Sequence, residues 1–68
     1  MATNMKNVIR TRRKELGFSQ EELAKKCNVS RQTINAIEND KYDPTLSLAF
    51  KLSKELLITV DELFEPED

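Results

Sequence analysis

The sequence predicts an all-α fold, a compact arrangement of five short helices in one domain. Four hydroxyl residues suited to helix N-caps, Ser19, Ser30, Thr45 and Thr59, precede segments whose apolar residues recur at helical spacing. No segment of useful length alternates apolar and polar residues, as a half-buried strand does. A chain of 68 residues forms one small domain, so the five helices are expected to share one core.

The first two helices are predicted from their apolar residues and their ends. Helix one is expected over about 5–16, with Asn4 as its N-cap. Helix two is expected over about 20–27. Ser19 and Glu22 have the spacing of a capping box, in which each side chain accepts a hydrogen bond from the other residue's backbone N–H.

The third predicted helix, over about 31–38, completes a helix-turn-helix. Ser30 caps this helix, Val29 lies in the turn before it, and Ile34 and Ile37 form its apolar face. Two short helices that cross steeply over such a turn form a motif whose second helix can enter the major groove of DNA. The segment 31–38 is therefore predicted to be a recognition helix.

Two further helices are predicted in the remainder of the chain. Helix four is expected over about 46–56, and helix five over about 60–64. A second capping box, Thr59 with Glu62, opens helix five. The tail, residues 65–68, is expected to be frayed.

Composition excludes several kinds of functional site. One Cys and no His rule out a disulfide framework, a zinc site of Cys and His, and a Cys–His catalytic pair. No apolar run reaches the roughly 18–20 residues of a membrane span, and no signal segment is recognisable. We expect a cytoplasmic protein without a metal site. A chain this small also has little room for an active-site cleft, so no enzyme activity is expected.

Charge is distributed unevenly along the chain although the net charge is only −1. Residues 1–41 carry nine Lys or Arg against five acidic residues, whereas residues 42–68 carry two against seven. A basic front half suits a protein that presents one face to phosphates. The alternative is a solvated surface with uneven charges, and charge alone does not decide between the two.

Five short motifs stand in a characteristic order. They are SQEELA at 19–24, VSRQTI at 29–34, IEN at 37–39, Lys41, and PTL at 44–46. In order and spacing they resemble the Cro/CI (XRE) helix-turn-helix family of phage and bacterial repressors. The resemblance extends over nearly the whole chain. It implies a compact five-helix, lambda-repressor-like domain that binds operator double-stranded DNA as a dimer and needs no cofactor or small-molecule ligand.

Base reading is expected from the exposed start of the recognition helix. The residues that match the family there are Arg31, Gln32, Thr33 and Asn35. Arg can pair with guanine O6 and N7, and Gln or Asn with adenine N6 and N7. Taken singly, each is also an ordinary polar surface residue. Together on one face of a capped helix pair, they favour DNA contact.

Phosphate contacts are expected around the recognition helix. The predicted set is Gln20, Ser30, Asn39, Lys41, Tyr42 and Arg10. Gln20 matches the family's phosphate-contacting glutamine at the start of helix two, where the helix N-terminus also favours an anion. Asn39 and Lys41 match the loop that holds phosphate on the far side of the groove.

The resemblance also indicates one structural ion pair and two departures from the family pattern. Arg13 and Glu38 match a partly buried salt bridge that ties helix one to the end of helix three. Asp40 stands where the family commonly has Gly. Leu57 stands where Gly or Asn usually ends helix four, and a left-handed Leu is strained by roughly 1 kcal/mol.

Leu57, Val60 and Phe64 are predicted to form an apolar dimer interface, the alternative being simple closure of the core by the last helix. The predicted function is a sequence-specific transcriptional regulator, a repressor that acts as a homodimer on a palindromic operator. The alternative is a protein-interaction module, such as an antitoxin or a controller subunit.

Overall fold

The computed structural model describes residues 6–65 and contains five helices, as the sequence predicts. The elements are β1 (Lys6–Asn7), α1 (Ile9–Glu15), α2 (Gln20–Cys27), α3 (Arg31–Glu38), α4 (Leu46–Leu56), α5 (Val60–Leu63) and β2 (Phe64–Glu65). Within this described range, no helix has the length and apolar character needed to cross a membrane.

The predicted N-caps account for where four of the helices begin. Each cap oxygen accepts a hydrogen bond from the backbone N–H three residues further on, as at Ser19 and Glu22, where the distance is 3.0 Å. The Glu22 carboxylate accepts in turn from the Ser19 backbone N–H at 2.8 Å, which completes the capping box. Ser30, Thr45 and Thr59 cap α3, α4 and α5 in the same way.

The prediction for the first helix was wrong at its N-terminal end. The helix begins at Ile9 rather than near residue 5, because Lys6 and Asn7 are extended and belong to a strand. Asn7 Oδ1 accepts from the Ile9 backbone N–H at 3.1 Å, so this side chain satisfies a free donor at the helix start. The proposed cap, Asn4, lies outside the described residues.

Two short strands are present although the sequence shows no strand-like alternation of useful length, and Glu65, predicted to begin a frayed tail, belongs to the second strand. Residues 6–7 pair antiparallel with residues 64–65, with Lys6 opposite Glu65. Phe64 is extended, so α5 ends one residue earlier than predicted. This two-stranded sheet joins the ends of the described chain, a pairing that local periodicity cannot reveal. Residues 66–68 lie outside the described residues.

One apolar cluster lies at the centre of the five helices. Its members are Ile9, Leu23, Ala24, Cys27, Ile34, Ile37, Leu48, Ala49, Leu52, Leu56, Leu63 and Phe64. Val29, in the turn between α2 and α3, is half-buried against this cluster. Burial raises the pKa of the Cys27 thiol, which therefore acts as a small apolar packing residue.

Among residues 6–65, three residues other than glycine have a left-handed backbone, and two of them are the departures from the family pattern. Asp40 has φ 59° and Leu57 has φ 57°, so both adopt the conformation for which glycine is usual. Arg12 stabilises the end of α4 there, donating from Nε to the Leu56 carbonyl at 2.8 Å and from Nη2 to the Leu57 carbonyl at 3.3 Å.

Candidate DNA-binding surface

The turn between α2 and α3 places the start of α3 at the surface. Asn28 ends α2 in the left-handed conformation, and the Val29 backbone N–H donates back to the Ala24 carbonyl at 3.0 Å. Arg31 and Gln32, the first two residues of α3, are exposed. Their side chains form no hydrogen bond or ion pair with any part of the chain described, so both are free to contact a ligand.

Thr33 and Ser30, by contrast, use their hydroxyl groups within the protein. Ser30 Oγ accepts from the Thr33 backbone N–H at 3.2 Å, and the two hydroxyl oxygens share a hydrogen bond at 3.0 Å. The Thr33 side chain is half-buried. These two residues therefore determine the start of the recognition helix, and their polar groups are less available to DNA than those of Arg31 and Gln32.

The predicted pair of Arg13 and Glu38 forms a buried ion pair. Arg13 donates from Nε to Glu38 Oε2 at 2.7 Å and from Nη2 to Oε1 at 3.2 Å, a two-pronged arrangement. The Arg13 side chain is 9% exposed and that of Glu38 is 0% exposed. Arg13 also donates from Nη1 to the Phe18 carbonyl at 2.9 Å, so it links the end of α3 to the turn after α1.

The Glu38 carboxylate stays ionised despite its burial. Burial raises the pKa, but hydrogen bonds from Arg13, Gln20 and Arg10 and the charge of Arg13 outweigh it and hold the pKa of Glu38 below its ordinary value. The additional donors are Gln20 Nε2 at 3.0 Å and Arg10 Nε at 3.3 Å, both to Oε1. The ionised carboxylate, on α3, therefore orders side chains from α1 and α2.

The contacts of Glu38 continue to exposed residues on and after α3. Gln20 Nε2 also donates to Asn35 Oδ1 at 3.2 Å. Arg10 Nη2 donates to Asn39 Oδ1 at 3.0 Å, and Asn39 Nδ2 donates to the Asn35 carbonyl and Oδ1 at 2.8 and 3.1 Å. We name the following six residues the Glu38 network: Arg10, Arg13, Gln20, Asn35, Glu38 and Asn39.

The sequence motifs indicate only the Arg13–Glu38 pair of this network. Arg10, Gln20 and Asn39 are predicted to contact phosphate, yet both amide N–H bonds of Gln20 and of Asn39 are used inside the protein. A phosphate oxygen only accepts hydrogen bonds, so these amides have no free donor for it. One signal was available: Arg10 and Arg13 are three residues apart and share a face of α1.

Lys41 and Tyr42 lie in the loop after α3 and are exposed. Neither side chain has a hydrogen bond or ion pair within the described range 6–65. Arg10 keeps three of its five guanidinium N–H donors after its bonds to Glu38 and Asn39. These three residues therefore retain donors that face solvent beside the recognition helix.

The predicted dimer residues do not form one exposed patch. Leu57 is 71% exposed, Val60 is half-buried, and Phe64 is only 5% exposed and belongs to the core. The prediction for Phe64 was therefore wrong, because strand pairing turns its side chain inward.

The large apolar side chains exposed on α4 are instead Leu46, at 69%, and Phe50, at 59%, one turn apart on one helix face. Leu46 and Val60 also line a shallow groove together with Asp43, Pro44, Ala49 and Phe64. We name Leu46, Phe50 and Val60 the α4 patch. The sequence contained a signal for it, since Leu46 and Phe50 lie off the buried stripe of this helix.

Comparisons with known proteins agree with this geometry. A helix-turn-helix family model matches residues 9–63, which is most of the chain. An uncharacterized HTH-type transcriptional regulator of Methanocaldococcus jannaschii is 50% identical over 64 residues, covering 94% of this chain and 97% of the relative.

Two solved structures with more than 30% sequence identity to this chain have the same fold. The restriction-modification controller protein C.AhdI of Aeromonas hydrophila is 32% identical, with a TM-score of 0.76, and the match covers 82% of this chain and 85% of that one. The DNA-binding domain of the P22 c2 repressor is 36% identical, with a TM-score of 0.74 over 78% and 70% of the two chains. The resemblance drawn from the sequence motifs is thus confirmed, and the chain belongs to the Cro/CI-type helix-turn-helix family of DNA-binding transcriptional regulators.

Proposed function

We propose that this DNA-binding transcriptional regulator binds a two-fold symmetric operator as a homodimer and represses transcription there. The observation that supports this most strongly is the state of Arg31 and Gln32. Both side chains open the recognition helix, both are exposed, and neither is engaged by the described part of the chain. A rigid, capped helix with free polar side chains at its start has the shape and chemistry needed to enter the major groove.

Arg31 and Gln32 are the principal base readers in this proposal. Arg31 can donate two hydrogen bonds to guanine O6 and N7, and Gln32 can pair with adenine N6 and N7. Thr33 offers mainly its methyl group, because its hydroxyl bonds to Ser30. Asn35 lies one turn after Arg31 on the same face of α3.

Phosphates are held by the donors that remain free around α3. Arg10, Lys41 and Tyr42 supply side-chain donors, and Arg10 is additionally positioned by Glu38 and Asn39. Gln20 contributes its backbone N–H, which lies in the first turn of α2 and needs no partner within the helix. These contacts orient the protein on DNA and carry no sequence information themselves.

The α4 patch is the surface proposed for dimerisation. Two large apolar side chains at the surface of a small domain lose contact with water when a second copy covers them. A two-fold axis through this surface pairs the patch with itself, as an isologous interface requires. Two recognition helices then read half-sites about 10–10.5 base pairs apart.

Selection of bound sites from random double-stranded DNA tests the proposal. We expect an inverted repeat, and we expect Gln32→Ala to lose preference at one base pair per half-site by about 1–3 kcal/mol. Lys41→Ala is the matched control, because loss of a phosphate contact weakens binding evenly across sequences. An even loss for Gln32→Ala would contradict base reading by this residue.

If the chain is instead a protein-interaction module, the purified protein should give a different result. A stoichiometric protein partner captured from the native cytosol, together with no preferred sequence in the selection, would favour that alternative. Retained selection of one inverted repeat by the purified chain would favour the regulator.

A further inference from the structure

We infer that Asn35 presents only hydrogen-bond donors to DNA and therefore selects guanine, in place of the adenine that an unrestrained Asn can read. This inference rests on the proposed base-reading function of α3. An Asn that recognises adenine must accept from N6 through Oδ1 while Nδ2 donates to N7. The Glu38 network determines which of these two atoms faces outward.

Glu38 determines the orientation of the first neighbour, Gln20. A carboxylate only accepts hydrogen bonds, so the Gln20 group that meets Glu38 Oε1 at 3.0 Å is its amide nitrogen. The same nitrogen reaches Asn35 at 3.2 Å with its second N–H. The Asn35 atom that meets this donor is therefore Oδ1.

Arg10 determines the orientation of the second neighbour, Asn39, independently of Gln20. A guanidinium only donates, so the Asn39 atom that meets Arg10 Nη2 at 3.0 Å is Oδ1. The Asn39 nitrogen then points to Asn35, where it donates to the backbone carbonyl at 2.8 Å and to the side-chain oxygen at 3.1 Å. A backbone carbonyl can only accept, which supports the same assignment.

Asn35 Oδ1 thus accepts two hydrogen bonds, one for each of its lone pairs. Turning the amide over would place Nδ2 against these two donors. One N–H of Gln20 and one N–H of Asn39 would then lack an acceptor, while their bonds to Glu38 and to the Asn35 carbonyl would remain. Asn35 Nδ2 has no acceptor in the described part of the chain, and the residue is exposed. The outward group is therefore an NH2 with two free donors.

The bases differ in what they offer to such a group. Guanine presents two acceptors in the major groove, O6 and N7, and matches an NH2 with two donors. Adenine N6 and cytosine N4 are themselves donors and oppose it. Thymine offers one acceptor, O4, and ranks second to guanine. For base reading, Arg10 and Gln20 are positioning residues, because they act on the base through the orientation of Asn35.

The first experiment measures binding to the selected operator with one base pair changed. That base pair is the one at which the Asn35→Ala variant loses its base preference. For the wild-type protein we expect guanine there to bind about tenfold more tightly than adenine. Inosine, which keeps O6 and N7 but lacks the minor-groove amino group, should equal guanine, and 7-deazaguanine should bind more weakly. Preference for adenine at this position overturns the inference.

The second experiment removes the two donors that restrain Asn35. In the double variant Gln20→Met and Asn39→Ala, the Asn35 amide can turn over, so the tenfold preference for guanine over adenine should fall to near one. Lys41→Ala is the control, since it lowers affinity and leaves this preference unchanged. A preference that survives the double variant shows that the network does not orient Asn35 and overturns the inference.

These outcomes are distinct from failure of the proposed function. If the wild-type protein selects no sequence, the proposed function fails. If an operator is selected but Asn35→Ala lowers affinity evenly across sequences, Asn35 is not a base reader and the inference is overturned alone.

Discussion

Replacement of Glu38 by Gln tests whether the buried carboxylate holds the fold together. The substitution keeps the shape of the side chain and removes its charge, so Arg13, whose side chain is 9% exposed, loses its counter-ion. Arg13 donates two hydrogen bonds to this carboxylate, at 2.7 and 3.2 Å, and hydrogen bonds to charged groups contribute about 1.5–3 kcal/mol each.

The expected loss for Glu38→Gln follows from these contacts. Gln retains one acceptor oxygen, and Arg13 keeps its bond to the Phe18 carbonyl. We therefore expect a loss of about 3 kcal/mol, the lower end of the range for removing one partner of a buried ion pair. A domain this small has only about 3–5 kcal/mol of stability from its core, so the variant should be close to unfolding.

Urea and thermal denaturation, followed by far-ultraviolet circular dichroism at pH 7, measure this loss. For a domain of this size, 3 kcal/mol corresponds to a fall in Tm of roughly 12–24 °C. Glu15→Gln is the matched control, because Glu15 forms an exposed ion pair with Arg12 at 3.2 Å, and such pairs contribute about 0.2–1 kcal/mol. If Glu38→Gln and Glu15→Gln lose the same stability, the central role assigned to the Glu38 carboxylate is refuted.

Three further predictions follow from the same structure. The folded-state pKa of Glu38 lies below the ordinary 4.5, so its contribution to stability is complete above that pH and is lost as the pH falls toward the folded-state pKa. The free energy of unfolding should therefore drop over this acid range more for wild type than for Glu38→Gln. Equal pH dependence of the two free energies would contradict the assignment. Leu57→Gly should raise the free energy of unfolding by about 1 kcal/mol, because Leu57 is 71% exposed and has φ 57°. If urea denaturation shows a lower free energy of unfolding instead, the Leu57 side chain contributes packing. Phe50→Glu should weaken self-association at least tenfold in sedimentation equilibrium, with Lys51→Glu as the exposed control on the same helix; an unchanged dissociation constant would place the dimer interface elsewhere.

Much of the fold was predictable because its signals are local in sequence. Ser19 with Glu22, and Thr59 with Glu62, satisfy backbone donors three residues away, so the starts of α2 and α5 depend on neighbouring residues only. The left-handed backbone at Asp40 was indicated by the family resemblance instead, because Asp40 stands where the family commonly has Gly.

The sequence predicted which residues belong to the candidate site better than it predicted the hydrogen bonds between them. Motif order placed Arg31 and Gln32 on an exposed helix start, and the structure leaves both free for DNA. It also placed Gln20 and Asn39 beside DNA, but their amide donors bond to Glu38 and Asn35. Which of several nearby acceptors an amide uses depends on distances between helices, and the sequence does not contain those distances.

Local patterns thus determined most helix limits of this chain and the polar residues that open α3, because caps and apolar spacing act over one or two turns. Tertiary structure alone decided the pairing of Lys6 with Glu65, the burial of Phe64 and the outward donor of Asn35. Each of these depends on groups that are far apart in the chain and meet only when the helices pack. The free energy of such contacts therefore cannot be inferred from any local segment of the sequence.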